Sequence, residues 1–249
     1  MVRNYRQIAS KALKNKVMEQ HPLLRPYLPR TSWFSKEALD YWASRYPLLF
    51  IKPDKGGGGA GIIRIRRVNG KWELAFRRSV RIVSKQDLYP TVEKLLLPYR
   101  NYLVQEGIHL ASVQGRPFDI RIMMQKPKGR WIVSGMVAKV AAHGRFVTNH
   151  CKGGRPFRLE RILHMMESEG SPAPQGLVQE LEKVSLLTAN VLESRFPGIK
   201  ELGIDVALDQ RGKIWILEVN TRPHFQMFRK IGKPILYQNI LKFHRQLRR

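Results

Sequence analysis

Hydrophobic and polar positions along the chain predict strands and helices that alternate without a regular β-α-β rhythm. Tyr5, Ile8, Ala9, Ala12 and Leu13 recur at helical spacing, and Pro22, Pro26 and Pro29 then impose a linker, since proline removes a backbone donor. Ser35 stands as N-cap to a helix carrying Leu39, Trp42, Ala43 and Tyr46. The apolar run 48–51 predicts the first strand. Residues 62–68 alternate apolar and basic and meet Asn69-Gly70, a pair that tolerates the positive φ of a type I′ hairpin turn. Ser84 with Asp87 resembles a capping box for a helix over 87–96. Strands are expected at 102–108, ending in a glycine bend, and at 118–125 and 131–138, flanking a turn. Leu177, Leu181, Val184, Leu187 and Val191 mark an amphipathic helix that closes near Pro197-Gly198. Strands 203–208 and 213–219 pair across 209–212, and 235–247 reads as a basic amphipathic helix. This order predicts an α+β fold.

The composition sets the scale of that fold. With 249 residues, 43% of them hydrophobic, the chain can bury a sizeable core as one large domain or two smaller lobes. No apolar run approaches a membrane span, and residues 1–15 lack the apolar centre of a signal peptide, so a cytoplasmic protein is expected. The single cysteine, Cys151, excludes an internal disulfide and argues against a thiolate zinc site. His150 beside it reads as a loop pair, and Met123, Met124, Met165 and Met166 read as core or helix-face residues.

A formal charge of +26, from 45 Lys+Arg against 19 Asp+Glu, draws a protein toward polyanions. The basic residues are nevertheless spread, with Arg64, Arg66, Arg77, Arg78 and Arg81 far from the tail Arg245, Arg248 and Arg249, and no nucleic-acid motif accompanies them. A solvated basic surface is the expectation, nucleic acid is not an expected partner, and the tail 242–249 reads as a solvated helix end. With so few acids, a carboxylate inside an apolar strand is informative, because an unpaired buried charge is costly.

The candidate chemistry begins at Lys52-Pro53-Asp54-Lys55-Gly56-Gly57-Gly58-Gly59-Ala60-Gly61, directly after the first strand. Clustered glycines leave backbone N–H groups able to approach an anion. The Gly-Lys-Ser/Thr ending of a Walker A loop is absent, and although Gly56, Gly58 and Gly61 fit a dinucleotide fingerprint, a strand follows where that motif needs a helix. A kinase-like glycine loop between strands fits the layout better, but the His-Arg-Asp and Asp-Phe-Gly segments are missing and Lys52 precedes the glycines. The segment is therefore either a phosphate-covering lid with a lysine at its root or a surface turn, and the glycines alone favour neither.

Asp205, in Gly-Ile-Asp-Val-Ala-Leu, precedes Glu218 and Asn220 of Ile-Trp-Ile-Leu-Glu-Val-Asn across the predicted hairpin. Strand alternation puts Glu218 and Asn220 on one face, with Asp205 able to lie on the neighbouring strand. Two carboxylates and an amide oxygen suit Mg2+ shared with substrate phosphates. The competing reading is a salt bridge from Glu218 to an arginine such as Arg222.

Together these segments resemble the ATP-grasp superfamily and, within it, the YheC/YheD family of endospore coat-associated proteins, over nearly the whole sequence. The resemblance implies two α+β lobes with the nucleotide site between them: a helical lead-in and linker at 1–46, a smaller lobe with the glycine lid at 47–108, and a larger lobe with the metal site at 109–249. Lys52 matches the strand lysine that contacts phosphates, Lys16 the earlier helix lysine, and Lys55, Gly57, Gly58 and Gly59 the lid. Gln105, Glu106 and Ile108 match the linker that meets the adenine edge. In Phe-Asp-Ile-Arg, Asp119 matches a ribose-binding residue and Arg121 one directed at phosphate or a reacting acyl group. Lys139 and Asn149, the latter within Thr148-Asn149-His150 and followed by Gly153-Gly154, lie where the γ-phosphate and acceptor are approached. Asp205, Glu218 and Asn220 match the metal ligands.

The implied activity is ADP-forming ligation, with ATP and Mg2+, of a carboxylate to an amine or thiol through an acyl phosphate. The substrates are unnamed and include a peptide or an acidic polymer among the options, and spore-coat proteins are implied as partners, with a spore-associated location. A catalytically silent coat protein of the same fold and a basic polyanion-binding protein are the alternatives. About fifty residues precede Lys52, fewer than the N-terminal domain of ligases in the superfamily, so the acceptor pocket is expected to be minimal, open or completed by a partner.

Overall fold

The structure, a computed structural model, describes residues 5–77, 79–142, 154–171 and 173–248. Thr148, Asn149, His150, Cys151 and Gly153 lie outside the described residues, as do Arg78 and Arg249. The chain packs as two compact units. One comprises Pro29–Ile108 with Ala9–Ala12, and the other Met1–Ile8, Leu13–Leu28 and His109–Arg249. Residues of the expected lead-in are thus divided between the two. Among the described residues no helix is long and apolar enough to cross a membrane.

The smaller unit is built on an antiparallel six-stranded sheet of β1 (Thr31–Trp33), β2 (Leu48–Pro53), β3 (Ile63–Val68), β4 (Lys71–Phe76), β5 (Ser79–Val83) and β6 (Tyr102–Glu106), in the order β1-β6-β2-β3-β4-β5. One face carries Leu49, Ile51, Ile63, Ile65, Trp72, Leu74 and Val104, which form a core with Leu39 and Trp42 from a helix at Lys36–Arg45 and Leu88 and Val92 from another at Lys85–Glu93. Both helices start where their caps predict, with Ser35 Oγ accepting from Ala38 N at 3.1 Å and Ser84 Oγ from Asp87 N at 3.2 Å. Asn69 and Gly70 adopt φ of 48° and 75° and reverse β3 into β4. The register pairs Phe50 with Arg64 and Gln105, and Lys52 with Leu103. Strand alternation therefore places Phe50, Lys52, Arg64, Arg66 and Gln105 together on the face away from that core.

The larger unit holds β7 (Ser112–Val113), β8 (Arg116–Gln125), β9 (Ile132–Val140), β10 (Arg155–Phe157), β11 (Glu201–Leu208) and β12 (Ile214–Asn220), ordered β10-β9-β8-β11-β12 with β7 beside β8. Phe118, Ile120, Ile122, Ile204, Val206 and Ile216 pack on one side against Leu181, Val184 and Leu192 of a long helix, Leu177–Arg195. A helix at Leu159–Ser168, which has no counterpart among the elements predicted from the sequence, adds Ile162 and Met166. On the other side, Met123 and Val137 are covered by Phe225, by Phe228 and Ile231 of a 3-10 helix at Gln226–Ile231, and by Ile240 of the last helix, Pro234–Gln246. The rest of that second face carries charge.

Two expectations are corrected. The first helix begins at Lys11 and not near Tyr5, because groups upstream are bound elsewhere: Tyr5 donates to Glu201, and Ile8 N donates to Thr221 Oγ1 at 2.7 Å. The tail is not simply a solvated helix end, since His244 and Leu247 are buried. His244 turns Nδ1 to Glu201 Oε1 at 2.8 Å, and Glu201, fully buried, also accepts from Gln125 Nε2 at 2.8 Å. A polar partner inside the larger unit therefore draws one face of the last helix inward.

Close approach at Gly107 gives a test of the smaller unit. A Cβ there would lie 2.2 Å from Leu48 Cγ, while one at Gly57 would meet nothing within 4 Å. Gly107→Ala is expected to destabilise the protein by about 1–3 kcal/mol and to lower its urea midpoint. Gly57→Ala should leave that midpoint nearly unchanged.

Candidate functional site

Each unit carries a set of polar side chains ordered by strand register. In the smaller unit, Lys52 Nζ donates to Gln105 Oε1, and Gln105 Nε2 donates to Thr31 Oγ1 at 2.9 Å. The lysine also stands over the Phe50 ring, 5.5 Å from its centroid. Glu106 faces the other way along β6, accepting at Oε1 from Arg30 N at 2.9 Å, while its own N donates to Arg30 O at 3.0 Å. Gln105 and Glu106 are both buried, so their bonds fix the geometry at the end of β6. Ile108 is half-buried just beyond it.

The glycine segment leaves β2 next to Asp54. This buried carboxylate accepts at Oδ1 from Ser10 Oγ at 2.9 Å and from Ala12 N at 2.8 Å, which caps the first helix from across the unit. Lys11 Nζ donates to Gly56 O at 2.8 Å and ties down the start of the loop. Beyond that point Gly58, Gly59 and Gly61 adopt φ of 67°, 71° and 76°, conformations that side chains rarely take, and Lys55 and Gly57 are exposed. Neither Asp54 nor Lys11 is among the site residues expected from the sequence. The signal was present in the rarity of acids, since Asp54 is one of few carboxylates and stands at the root of the loop.

The larger unit concentrates charge on the second face of its sheet. Register sets Arg121 of β8 opposite Asp205 of β11, Asp205 opposite Glu218 of β12, and Asp119 of β8 opposite Lys139 of β9. Arg121 grips Asp205 with two bonds, Nε to Oδ1 at 2.8 Å and Nη2 to Oδ2 at 2.7 Å. Lys139 Nζ lies 2.8 Å from Asp205 Oδ1 and 3.0 Å from Asp119 Oδ2. Asp119, Arg121, Lys139 and Asp205 are all buried, and their charges balance.

The electrostatics follow from that enclosure. Burial alone would raise the Asp205 pKa, but Arg121 and Lys139 outweigh it and hold the carboxyl well below the ordinary range. Burial likewise opposes charge on Arg121, yet Asp205 foremost, with Asp119 and Glu218, raises its pKa above the usual guanidinium value. For Lys139 the same opposition from burial is overcome by Asp119 and Asp205. The set stays ionised because each member has an opposite charge within contact distance.

A divalent cation can be tested against these residues. Asp205 and Glu218 are paired neighbours, and Asn220 follows on the same face of β12 with Nδ2 3.5 Å from Asp205 Oδ2. Both Asp205 oxygens already accept from cations, and among the described residues no three His, Cys, Asp or Glu side chains cluster as a metal cage. Two carboxylates and an amide fit Mg2+ completed by oxygens of a phosphate ligand, the usual manner in which Mg2+ is held. Lys16 joins neither set and is exposed on its helix, where Lys14 is the buried lysine, donating to Ile8 O at 2.7 Å.

Removing one member should expose the cost of this enclosure. Asp205→Ala leaves Arg121 and Lys139 without the carboxylate they share, and a loss of roughly 3–5 kcal/mol is expected in denaturant unfolding. Glu160→Gln, which breaks the 2.7 Å surface pair with Lys233, should cost less than about 1 kcal/mol in the same assay.

Comparison with known proteins agrees with the fold. The family model described as YheC/D like ATP-grasp matches residues 2–247. The endospore coat-associated protein YheD of Bacillus subtilis (strain 168) is 28% identical over 224 residues, covering 86% of this chain and 48% of its own length. YheC of the same strain is 26% identical over 215 residues, covering 83% of this chain and 57% of its own length. The chain thus spans about half the length of the curated relatives it matches. Among solved structures, the ATP-grasp ligase PsnB complexed with minimal precursor, Mg and ADP superposes with a TM-score of 0.53 at 14% identity, over 96% of this chain and 59% of that one. The N5-carboxyaminoimidazole synthase of Aspergillus clavatus, in complex with ADP and 5-aminoimidazole ribonucleotide, gives 0.52 at 12% identity, over 88% of this chain and 46% of its own. Likeness at these identities is one of fold.

Proposed function

This chain belongs to the YheC/D like ATP-grasp family, and on that premise we propose that it binds Mg-ATP and ligates a carboxylate to an amine or thiol, forming ADP. The observation that carries the reading is the buried charge row of Asp119, Arg121, Lys139 and Asp205 beside Glu218 and Asn220. A hydrophobic core has no use for so many ions on one sheet face, whereas phosphoryl transfer needs fixed charges already aimed at the developing negative charge.

In this reading Lys52 meets the nucleotide phosphates, Gln105, Glu106 and Ile108 frame the adenine edge, and Lys55, Gly57, Gly58 and Gly59 form the lid. A substrate carboxylate attacks the γ-phosphorus, the β-γ bond breaks, and ADP leaves. The resulting acyl phosphate is captured by the amine or thiol at its carbonyl carbon, and phosphate is released. Arg121 and Lys139 stabilise charge on the transferred phosphoryl group and on the acyl oxygen. Asp119, matched by resemblance to a ribose-binding residue, holds Lys139 at 3.0 Å and so acts here as a positioning residue. Asp205, Glu218 and Asn220 would hold Mg2+, which supplies charge compensation for the phosphates when bound. Lid closure excludes water that would hydrolyse the acyl phosphate. Asn149 belongs to this reading as an acceptor-side residue. With a net charge of +26, an acidic peptide or polymer is a natural substrate class.

Two measurements test the proposal. Mg-ATP binding followed by calorimetry should weaken at least about tenfold in Lys52→Ala, the loss of a charge-assisted contact. ADP release should appear with some members of a panel of amino acids and acidic peptides. Native protein that binds no Mg-ATP would overturn the reading, and binding without ADP release from any substrate would favour a silent coat protein.

A further inference from the structure

After Asn220 the chain turns through Thr221, Arg222, Pro223 and His224, and a cavity of about 230 Å³ opens between this turn and the last helix. Its polar lining consists of Arg222, His224, Gln226, His244 and Arg248, and no acidic side chain lines it. Arg222, His224 and Gln226 are exposed at its rim, and His244 is buried. Among the described residues the side chains of Arg222 and His224 have no ion-pair or hydrogen-bond partner. Gln226 is anchored by accepting from Tyr237 Oη at 3.0 Å, which leaves its amide N–H groups as donors.

One residue of the lining is held in place. His244 is 9% exposed, its Nδ1 is bound to Glu201, and its ring meets Phe225 edge-on at 5.0 Å. A buried imidazole fixed in this way gives the cavity one anchored lining residue beside the guanidinium groups of Arg222 and Arg248.

The same turn touches the charge row. Arg121 Nη1 approaches His224 O at 3.5 Å, and Pro223 packs so tightly on Gly203 that a Cβ there would lie 2.8 Å from Pro223 Cβ. A ligand in the cavity is therefore one turn of chain away from Arg121. The volume is below the range of roughly 300–1,000 Å³ typical of drug-sized ligands, so it suits a small acidic group and not a polymer segment.

We propose that this cavity is an anion subsite that holds a second carboxylate of the substrate, so that the ligase acts on a di- or polycarboxylate such as an acidic amino acid. The substrate assignment rests on the ligase reading above, whereas anion binding in the cavity does not. One carboxylate is presented to Arg121 for phosphorylation, and the other is held by Arg222 and Arg248. The bidentate fork of arginine matches a carboxylate and sets the direction of the bound acid.

The test uses the full chain without ATP. Imidazole C–H resonances of His224 and His244 are followed by NMR while glutarate, citrate, inorganic phosphate or sodium chloride is added. Saturable shifts with the carboxylates, weakened at least about tenfold in Arg222→Gln and in Arg248→Gln, are expected. Shifts that track ionic strength alone, or that survive both substitutions, overturn the subsite. Tighter binding of phosphate than of either carboxylate overturns the carboxylate assignment. His224→Gln, at an exposed position, checks by loss of one signal that the resonances are correctly assigned. Failure of Mg-ATP binding in the calorimetric test would remove the ligase reading while leaving a saturable carboxylate response intact, so the two ideas fail separately.

Discussion

The buried ion set of the larger unit is the constraint to which the rest of the site answers. Withdrawing one ion from water costs several kcal/mol, and that cost is offset only where opposite charges meet in good geometry with their hydrogen bonds filled. Arg121 meets this demand with two bonds to Asp205, and Lys139 spans Asp119 and Asp205. Three strands must hold fixed register for these contacts to exist, because a slip of one residue would turn every charge to the opposite face. That face is packed with Ile120, Ile122, Ile204 and Val206, where no ion could stay. The hydrophobic core and the charge row thus specify the same alignment of β8, β9 and β11.

The smaller unit applies alternation to a different end. Its core face is continuous apolar surface, and its other face presents Lys52, Gln105 and Arg64 between aromatic and aliphatic neighbours. The glycine segment is secured at its root. Asp54 caps the first helix, and Lys11 binds Gly56 O, so the segment begins from a fixed point next to Lys52. The positive φ of Gly58, Gly59 and Gly61 makes glycine necessary at those positions for backbone reasons, independent of any ligand.

Much of this was legible in the sequence. Apolar and alternating runs located the longer strands but not β1, β5, β7 or β10, Ser35 and Ser84 located helix starts, and Asn69-Gly70 located the hairpin, because each signal depends on residues within a few positions of one another. The neighbour relation of Asp205 and Glu218 was legible for the same reason, since a short turn joins their strands. Partners of Asp205 on β8 and β9 were not. Arg121 is 84 positions away and Lys139 66, and nothing local announces that a candidate metal ligand is also the anchor of an ion set.

Sequence alone therefore determined most of the longer elements, the α+β class and the chemical types at the site, since these follow from local periodicity and from the scarcity of acids. Tertiary structure decided which charges meet. It moved the start of the first helix to Lys11 by supplying Asp54, drew His244 inward to Glu201, and set Arg222 and Arg248 around one cavity. The physical reason is common to the first two. A buried polar group takes the partner that the packed chain brings within about 3 Å, and that distance depends on sheet register and helix docking between distant segments, which no local pattern encodes.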